Sequence, residues 1–268
     1  MRKIIFIIIS GILFLTGYGF AESEVPHIFS KDLGIEIGFE TSYITYTEPG
    51  VMRQKGFMYG LTGALAYRNY SYMLSVEAKA SLGQVDYHSG SSGDIKSIDD
   101  GILEVRGLAG YDLNISEIFA VTPYAGIGYR HLDDNMGGRI STTGAYGYDR
   151  EISYMYSPIG VDMTTALENG WNIKLRLEYD KFWDGSAESH LGSIPGYYDI
   201  ENDQDKGYGI RSSIMFKKKG ETVDFIVEPF FVYWNIKDSK LTKDPGGSTW
   251  IEPKNNSQEF GIHFVAEY

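Results

Sequence analysis

Trp171-Asn-Ile-Lys-Leu-Arg-Leu-Glu-Tyr-Asp180 changes polarity at every step. Successive side chains of an extended strand point to opposite sides. Trp171, Ile173, Leu175, Leu177 and Tyr179 therefore share one face, and Asn172, Lys174, Arg176, Glu178 and Asp180 share the other. A soluble sandwich would have to bury one of these faces. The charged face fits poorly in a dry core, where each unpaired charge is costly. An apolar face turned to hydrocarbon and a polar face turned to a lumen resolve the conflict.

The same alternation recurs along the chain. Leu33, Ile35, Ile37, Phe39 and Tyr43 oppose Gly34, Glu36, Gly38, Glu40 and Ser42. Phe57, Tyr59, Leu61, Leu65 and Tyr67 lead to a tight turn at Arg68-Asn69, and Tyr70, Tyr72, Leu74, Val76, Ala78 and Leu82 return from it. A fourth strand offers Leu103, Val105, Leu108 or Ala109, and Tyr111, with a break of phase near Gly107 that suggests a bulge. The fifth, Phe119 to His131, contains Pro123, which cannot donate to a ladder. The sixth runs from Met155 to Leu167 and ends at Glu168-Asn-Gly170, a strong hairpin signal. Strand seven is the opening stretch; strands at Tyr208 to Phe216, Val223 to Ile236 and Glu259 to Tyr268 complete the set. The fold class expected is all-β: a closed antiparallel up-and-down transmembrane β-barrel of about ten strands, with roughly eight to twelve compatible with the pattern.

Connections near residues 68–70, 113–118, 168–170 and 217–221 read as short. Those near 48–56, 87–100, 132–150, 183–206 and 237–257 read as long and rich in Gly, Ser and Asp. Short periplasmic turns and long outer loops are the pattern of an outer-membrane barrel, so every long connection is expected outside the cell. Tyr67, Tyr70, Trp171, Trp183, Tyr233 and Trp234 near strand ends suit two interfacial girdles.

Residues 1–21 read as a secretory signal peptide: Arg2 and Lys3, an apolar run from Ile4 to Leu15, and Gly19-Phe20-Ala21 before the cut. Residues 22–268 then form one barrel domain. No later stretch approaches the apolar length that a membrane-spanning helix needs. With 43% hydrophobic and 15% aromatic residues the chain is too apolar for disorder. The absence of Cys rules out disulfides as well as a lipid anchor after the signal. A net charge of −12, more negative once the leader is gone, disfavours nucleic acid as a partner.

The final segment Phe260-Gly-Ile-His-Phe-Val-Ala-Glu-Tyr268 resembles the C-terminal signal that outer-membrane barrels present to their insertion machinery, carried here by Phe260, Ile262, Phe264 and Tyr268. Val121-Thr-Pro-Tyr-Ala-Gly-Ile-Gly-Tyr129 and Ser157-Pro-Ile-Gly-Val161 resemble segments of the small opacity and outer-membrane protein A type barrels. The resemblance implies a bacterial outer-membrane location, with lipid and lipopolysaccharide as surroundings and the insertion machinery as a partner in biogenesis. A monomer is expected.

Inward positions carry both signs of charge: Arg68, Lys79, Arg106, Arg130, Lys174, Arg176 and Arg211 against Glu36, Glu40, Glu77, Glu104, Asp162, Glu178, Asp180, Asp224, Glu228 and Glu267. In a barrel of about ten strands such groups should meet across the axis, whereas a wide aqueous channel takes about 16 strands. A mostly side-chain-filled interior is expected, with a structural or adhesive role for the extracellular loops. A narrow porin-like channel and an outer-membrane hydrolase, protease or lipid-modifying, are the alternatives; a soluble periplasmic barrel is the non-membrane reading.

A hydrolase would need a His beside a carboxylate or a Ser. His131 with Asp133 and Asp134 is the first candidate, His88 near Asp86 the second, and His190 with Ser186 or Ser189 the third. None matches the paired Asp and Asp-x-His pattern of the ten-stranded protease family, so no catalytic residue is assigned. Asp94, Asp99 and Asp100, and Asp199, Glu201, Asp203 and Asp205, form acidic clusters without EF-hand spacing. They read as solvated loops, with no metal or cofactor assigned; His263 reads as a lumen hydrogen bond.

Overall fold

The computed structural model describes residues 32–69 and 71–268. The signal-peptide reading of residues 1–21 and the outward placement of Tyr70 lie outside the described residues. Ten long strands form the wall: β1 Asp32–Glu48, β2 Met52–Asn69, β3 Tyr72–Ser89, β4 Gly93–Tyr111, β5 Phe119–Asn135, β6 Asp149–Ala166, β7 Trp171–Ser189, β8 Gly207–Lys218, β9 Asp224–Ile236 and β10 Asn255–Glu267. Each pairs antiparallel with its neighbours in sequence, and β10 pairs with β1, for example Phe264 opposite Phe39, which closes the cylinder. No helix of the described residues is long and apolar enough to cross a membrane.

The apolar face turns outward. Leu33, Ile37, Phe57, Leu61, Leu74, Ile159, Phe225 and Phe264 stand exposed on the wall, and Leu82 reaches 73% exposure. Such a belt is stable only in hydrocarbon. It occupies residues 33–43, 57–67, 72–82, 103–111, 121–129, 155–165, 171–179, 210–216, 225–233 and 260–268, close to the roughly 9–11 residues per strand that a tilted crossing takes. Pro123 faces outward in this belt opposite Val161, leaving the lumen side to Thr122 and Tyr124.

Above the belt the polarity inverts. Ile44, Tyr46, Met52, Met58, Val85, Ile98, Ile102, Ile152, Tyr154, Trp234 and Ile236 are buried inside, while Thr45, Lys55, Gln84, Asp99 and Glu151 face out. At this level the wall is built like a soluble sandwich around a dry core. Water replaces lipid outside, so the apolar side chains leave the surface and the polar ones take it.

Two expected long connections are therefore short turns. Residues 49–51 and 90–92 are the actual reversals, with Gly50 in the left-handed conformation at φ 82°. The sequence expectation ended β1 to β4 near the membrane surface because outward alternation stops there; the strands continue with the opposite sense. Three connections remain extended: 136–148, 190–206 and 237–254, the last containing a small ladder between Thr242–Lys243 and Thr249–Trp250. The expected bulge at Gly107 is absent, with Leu108 inward and Ala109 outward. The irregularities fall instead between Val85 and Tyr87 on β3, facing Ser97 of β4 at φ 54°, and between Met155 and Tyr156 on β6.

Candidate functional site in the lumen

The alternation that sends Leu175 and Leu177 to lipid sends Lys174, Arg176, Glu178 and Asp180 inward, and neighbouring strands do the same. Arg176 forks onto Asp162, with Nε to Oδ1 at 2.8 Å and Nη2 to Oδ2 at 2.9 Å, while Nη1 reaches Glu77 at 3.0 Å. Arg106 donates to Glu77 and, at 2.6 Å, to Glu178, which also accepts the Tyr124 hydroxyl at 2.7 Å. Arg211 donates from Nε to Asp180 at 2.8 Å and from Nη1 to Glu104 at 3.0 Å. Tyr156 gives its hydroxyl proton to the same Glu104 at 2.6 Å.

Around this layer, Lys79 reaches Glu259 at 2.8 Å and Glu40 at 3.2 Å, and His263 lies between Glu40 at 2.9 Å and Glu228 at 3.3 Å. The fully buried Arg130 stands 3.7 Å from Glu104 and 3.6 Å from Glu259. Bidentate pairing such as that of Arg176 with Asp162 is what makes buried charge tolerable.

A plug of rings sits directly above. Tyr156 meets Trp234 edge to face at 4.9 Å, Tyr154 lies 5.5 Å from Trp234, and Phe182 closes on Tyr154 at 5.4 Å. The Arg211 guanidinium lies under Tyr156 and Trp234 at 5.6 and 5.9 Å. Small residues make room: the Tyr124 and Tyr156 rings lie across Gly160 and Gly128.

The filling is not uniform along the axis. The periplasmic half encloses a vestibule of about 770 Å³, lined among others by Glu36, Arg68, Lys174, Lys217, Glu228 and Glu267. Lys217 is held by Asp224 at 2.9 Å and Glu267 at 2.7 Å, Lys174 lies 3.9 Å from Asp162, and Arg68 pairs with Asp112. An interior filled from end to end does not describe this half.

A second polar centre lies above the membrane. Arg150 pairs with Glu48, with Asp134 at 3.3 Å and with Glu252 at 3.4 Å, and donates to Gln54 Oε1 at 3.3 Å; the Tyr46 ring lies 4.9 Å from the guanidinium. Burial pushes the Glu252 carboxyl up to about 7, and burial together with the Asp134 charge pushes Asp100 up to about 8. Through Arg150 this centre ties the 237–254 connection to β1, β5 and β6.

The three extracellular His candidates all stand on the outer wall. His131 contacts Asp133 at 3.0 Å, but Asp134 points inward to Arg150. His88 pairs with Asp94 at 2.6 Å; Asp86 is held by Lys96 at 3.0 Å, which corrects the expected His88–Asp86 pair. His190 reaches Glu151 at 3.1 Å in place of Ser186 or Ser189. The first acidic group is divided by the wall, Asp94 and Asp99 outside and Asp100 inside. In the second, Glu201 and Asp203 alternate with the buried Asn202 and Gln204, while Asp199 accepts the Gly192 amide at 2.7 Å. Phe260, Ile262, Phe264 and Tyr268 of the C-terminal strand all face outward.

Glu259, Tyr124 and Tyr156 belong to the lumen without having been assigned to it, and Trp234, expected in an interfacial girdle, is buried inside against Tyr154 and Tyr156. Glu259 is legible in principle, since it shares parity with His263 and Glu267. The rings are not: an inward aromatic interrupts the polar face and looks like a phase error.

No protein-family profile matches the chain, and no curated protein matches it. Solved structures do match. The outer membrane protease OmpT from Escherichia coli superposes with a TM-score of 0.60 at 9% identity, covering 88% of this chain and 96% of that one. The translocator domain of the autotransporter NalP from Neisseria meningitidis gives 0.46 at 10% identity, covering 88% and 89%. The outer membrane protein OprG from Pseudomonas aeruginosa gives 0.38 at 14% identity, covering 91% and 98%. At 9% identity the likeness to OmpT is one of fold. With its exposed apolar belt, polar lumen and closed hydrogen-bonded ladder, this chain is a ten-stranded antiparallel β-barrel of the bacterial outer-membrane type.

Proposed function

We propose that the protein is a non-conducting scaffold of the outer membrane, whose extracellular half is a rigid β-structured head for surface interaction. One observation carries the reading: the Tyr154, Tyr156, Phe182 and Trp234 plug sits directly on the Arg211–Glu104–Asp180 layer, with Trp234 and Tyr156 essentially without solvent contact. Ions crossing this level would have to displace rings and paired charges together. The dry core above supports a presenting role, because it fixes the connections 136–148, 190–206 and 237–254 on a stiff wall. Catalysis by an inward rim site is less well supported: His88, His131 and His190 are on the outer wall, away from the enclosed carboxylates Asp100 and Asp134.

Planar-bilayer recording on the purified barrel tests the closed lumen. Wild type is expected to show no unitary conductance, and Tyr156→Ala/Trp234→Ala to show intermittent openings; stable unitary currents from wild type would overturn the reading. For the presenting role, replacing residues 240–251 by a short Gly-Ser linker should abolish attachment of expressing cells to a surface while heat-modifiable migration on gels stays unchanged. Undiminished attachment would count against it.

A further inference from the structure

Two histidines 59 residues apart in sequence each approach Glu151 on the outer wall of β5, β6 and β7, immediately above the apolar belt. Register sets the approach: Asp133 lies opposite Glu151, and Glu151 opposite Glu188, so three carboxylates stand in one row across adjacent strands. His131 flanks the row on β5 and His190 at the end of β7. Among the described residues no Lys or Arg ion pair reaches Asp133, Glu151 or Glu188, and like charges directly opposed across a sheet are destabilising.

The donor atoms of His131, Asp133 and Glu151 all lie within 4.8 Å of one another, as do those of Glu151, Glu188 and His190. His131 Nε2 is 3.0 Å from Asp133 Oδ1, and His190 Nε2 is 3.1 Å from Glu151 Oε1. Ligands at 2.0 Å around a tetrahedral ion are separated by roughly 3.3 Å, so both pairs already have the edge length a zinc site requires. The His131 ring is also oriented from behind. Its Nδ1 is 2.9 Å from Ser153 Oγ, Ser153 is 3.0 Å from the Tyr129 hydroxyl, and the Tyr129 ring stacks parallel to the imidazole at 12°. Fixing the far nitrogen in this way leaves Nε2 for a cation, the arrangement that metal-ligating histidines generally show.

We propose that this row binds a divalent d-block cation, Zn²⁺ being the best match to mixed imidazole and carboxylate donors, with Glu151 the shared central ligand and Ser153 a positioning residue. Occupation would cancel the repulsion along the row and clasp β5, β6 and β7 where they leave the membrane.

Calorimetric titration of Zn²⁺ into the chelator-treated full-length barrel in detergent tests this. Up to two ions per chain are expected, one in each triad, with His131→Ala and His190→Ala each weakening its own triad's binding about 10- to 100-fold, Glu151→Gln weakening both, and Ser153→Ala weakening the His131 triad less. His88→Ala, in the separate His88–Asp94 pair, should change nothing. Folding of each variant is checked by heat-modifiable gel migration. Absence of Zn²⁺ binding by folded wild type, Zn²⁺ binding indifferent to the His131 and His190 replacements, or binding of Ca²⁺ alone would each overturn the assignment.

Discussion

Gly128 on β5 lies flat against the ring of Tyr156 on β6: a Cβ at Gly128 would stand 2.3 Å from Tyr156 Cζ. The ring can lie over the neighbouring strand because Gly128, paired directly with Tyr156, has no side chain there. It is at once the floor of the aromatic plug and the donor to Glu104, so packing and charge pairing in the lumen depend on one residue's lack of a Cβ.

Replacing Gly128 by Ala should push Tyr156 off Glu104 and cost about 1–3 kcal/mol, the usual penalty of overpacking. Urea unfolding in detergent micelles reads the loss. Gly107, whose Cβ would meet nothing within 4 Å, is the control, and Gly107→Ala should be close to neutral.

Truncating Arg211 removes the donor that Glu104 and Asp180 share; Glu104 keeps Tyr156 and Arg130, but the buried Asp180 loses its cation. Arg211→Ala should cost about 3–5 kcal/mol. Removing the exposed Lys96, whose pair with Asp86 is solvated, should cost no more than about 1 kcal/mol. The same unfolding assay separates the two.

The extracellular half should weaken as pH rises. Glu252 and Asp100 titrate upward in the fold, to about 7 and about 8, so between the ordinary carboxylate range and those values the folded chain holds more protons than the unfolded one. Their contribution is fully present in acid and is lost as pH climbs through 7 to 8. Proteolytic nicking of the 237–254 connection should therefore be faster at pH 8.5 than at pH 5.5, and Glu252→Gln should flatten the difference. A connection equally resistant at both values would contradict the assignment.

The membrane boundary predicts opposite tolerances for the same change. Leu175→Arg places a charge in the apolar belt and should cost about 2–4 kcal/mol. Thr47→Arg, on the same outer surface but above the belt, should fall within about 0.5 kcal/mol. Spin labels at Ile173, Leu175 and Leu177 should likewise report acyl chains.

Within the membrane the sequence was sufficient for the lipid-facing side of the wall. The choice between lipid and lumen is made afresh at every second residue, so Trp171 to Asp180 declares both faces without reference to any partner, and Asn169-Gly170 declares the turn that precedes it. Above the membrane the same reading failed for a definite reason. Tyr43 and Ile44 are adjacent apolar residues, as are Phe57 and Met58, and Ile102 and Leu103; such a doublet looks like the end of a strand. It is the point where the outer solvent changes and the sense of the alternation reverses while the ladder runs on.

The amino-acid sequence by itself thus determined the barrel, its closure in a bilayer and the sign of each face, because local alternation against two solvents carries that information. Only the tertiary structure decided which inward charges pair, that rings from β6, β7 and β9 close the axis, and that His131 and His190 share Glu151. Those relationships depend on strand register and on distances across a closed cylinder, and neither is encoded in any one segment.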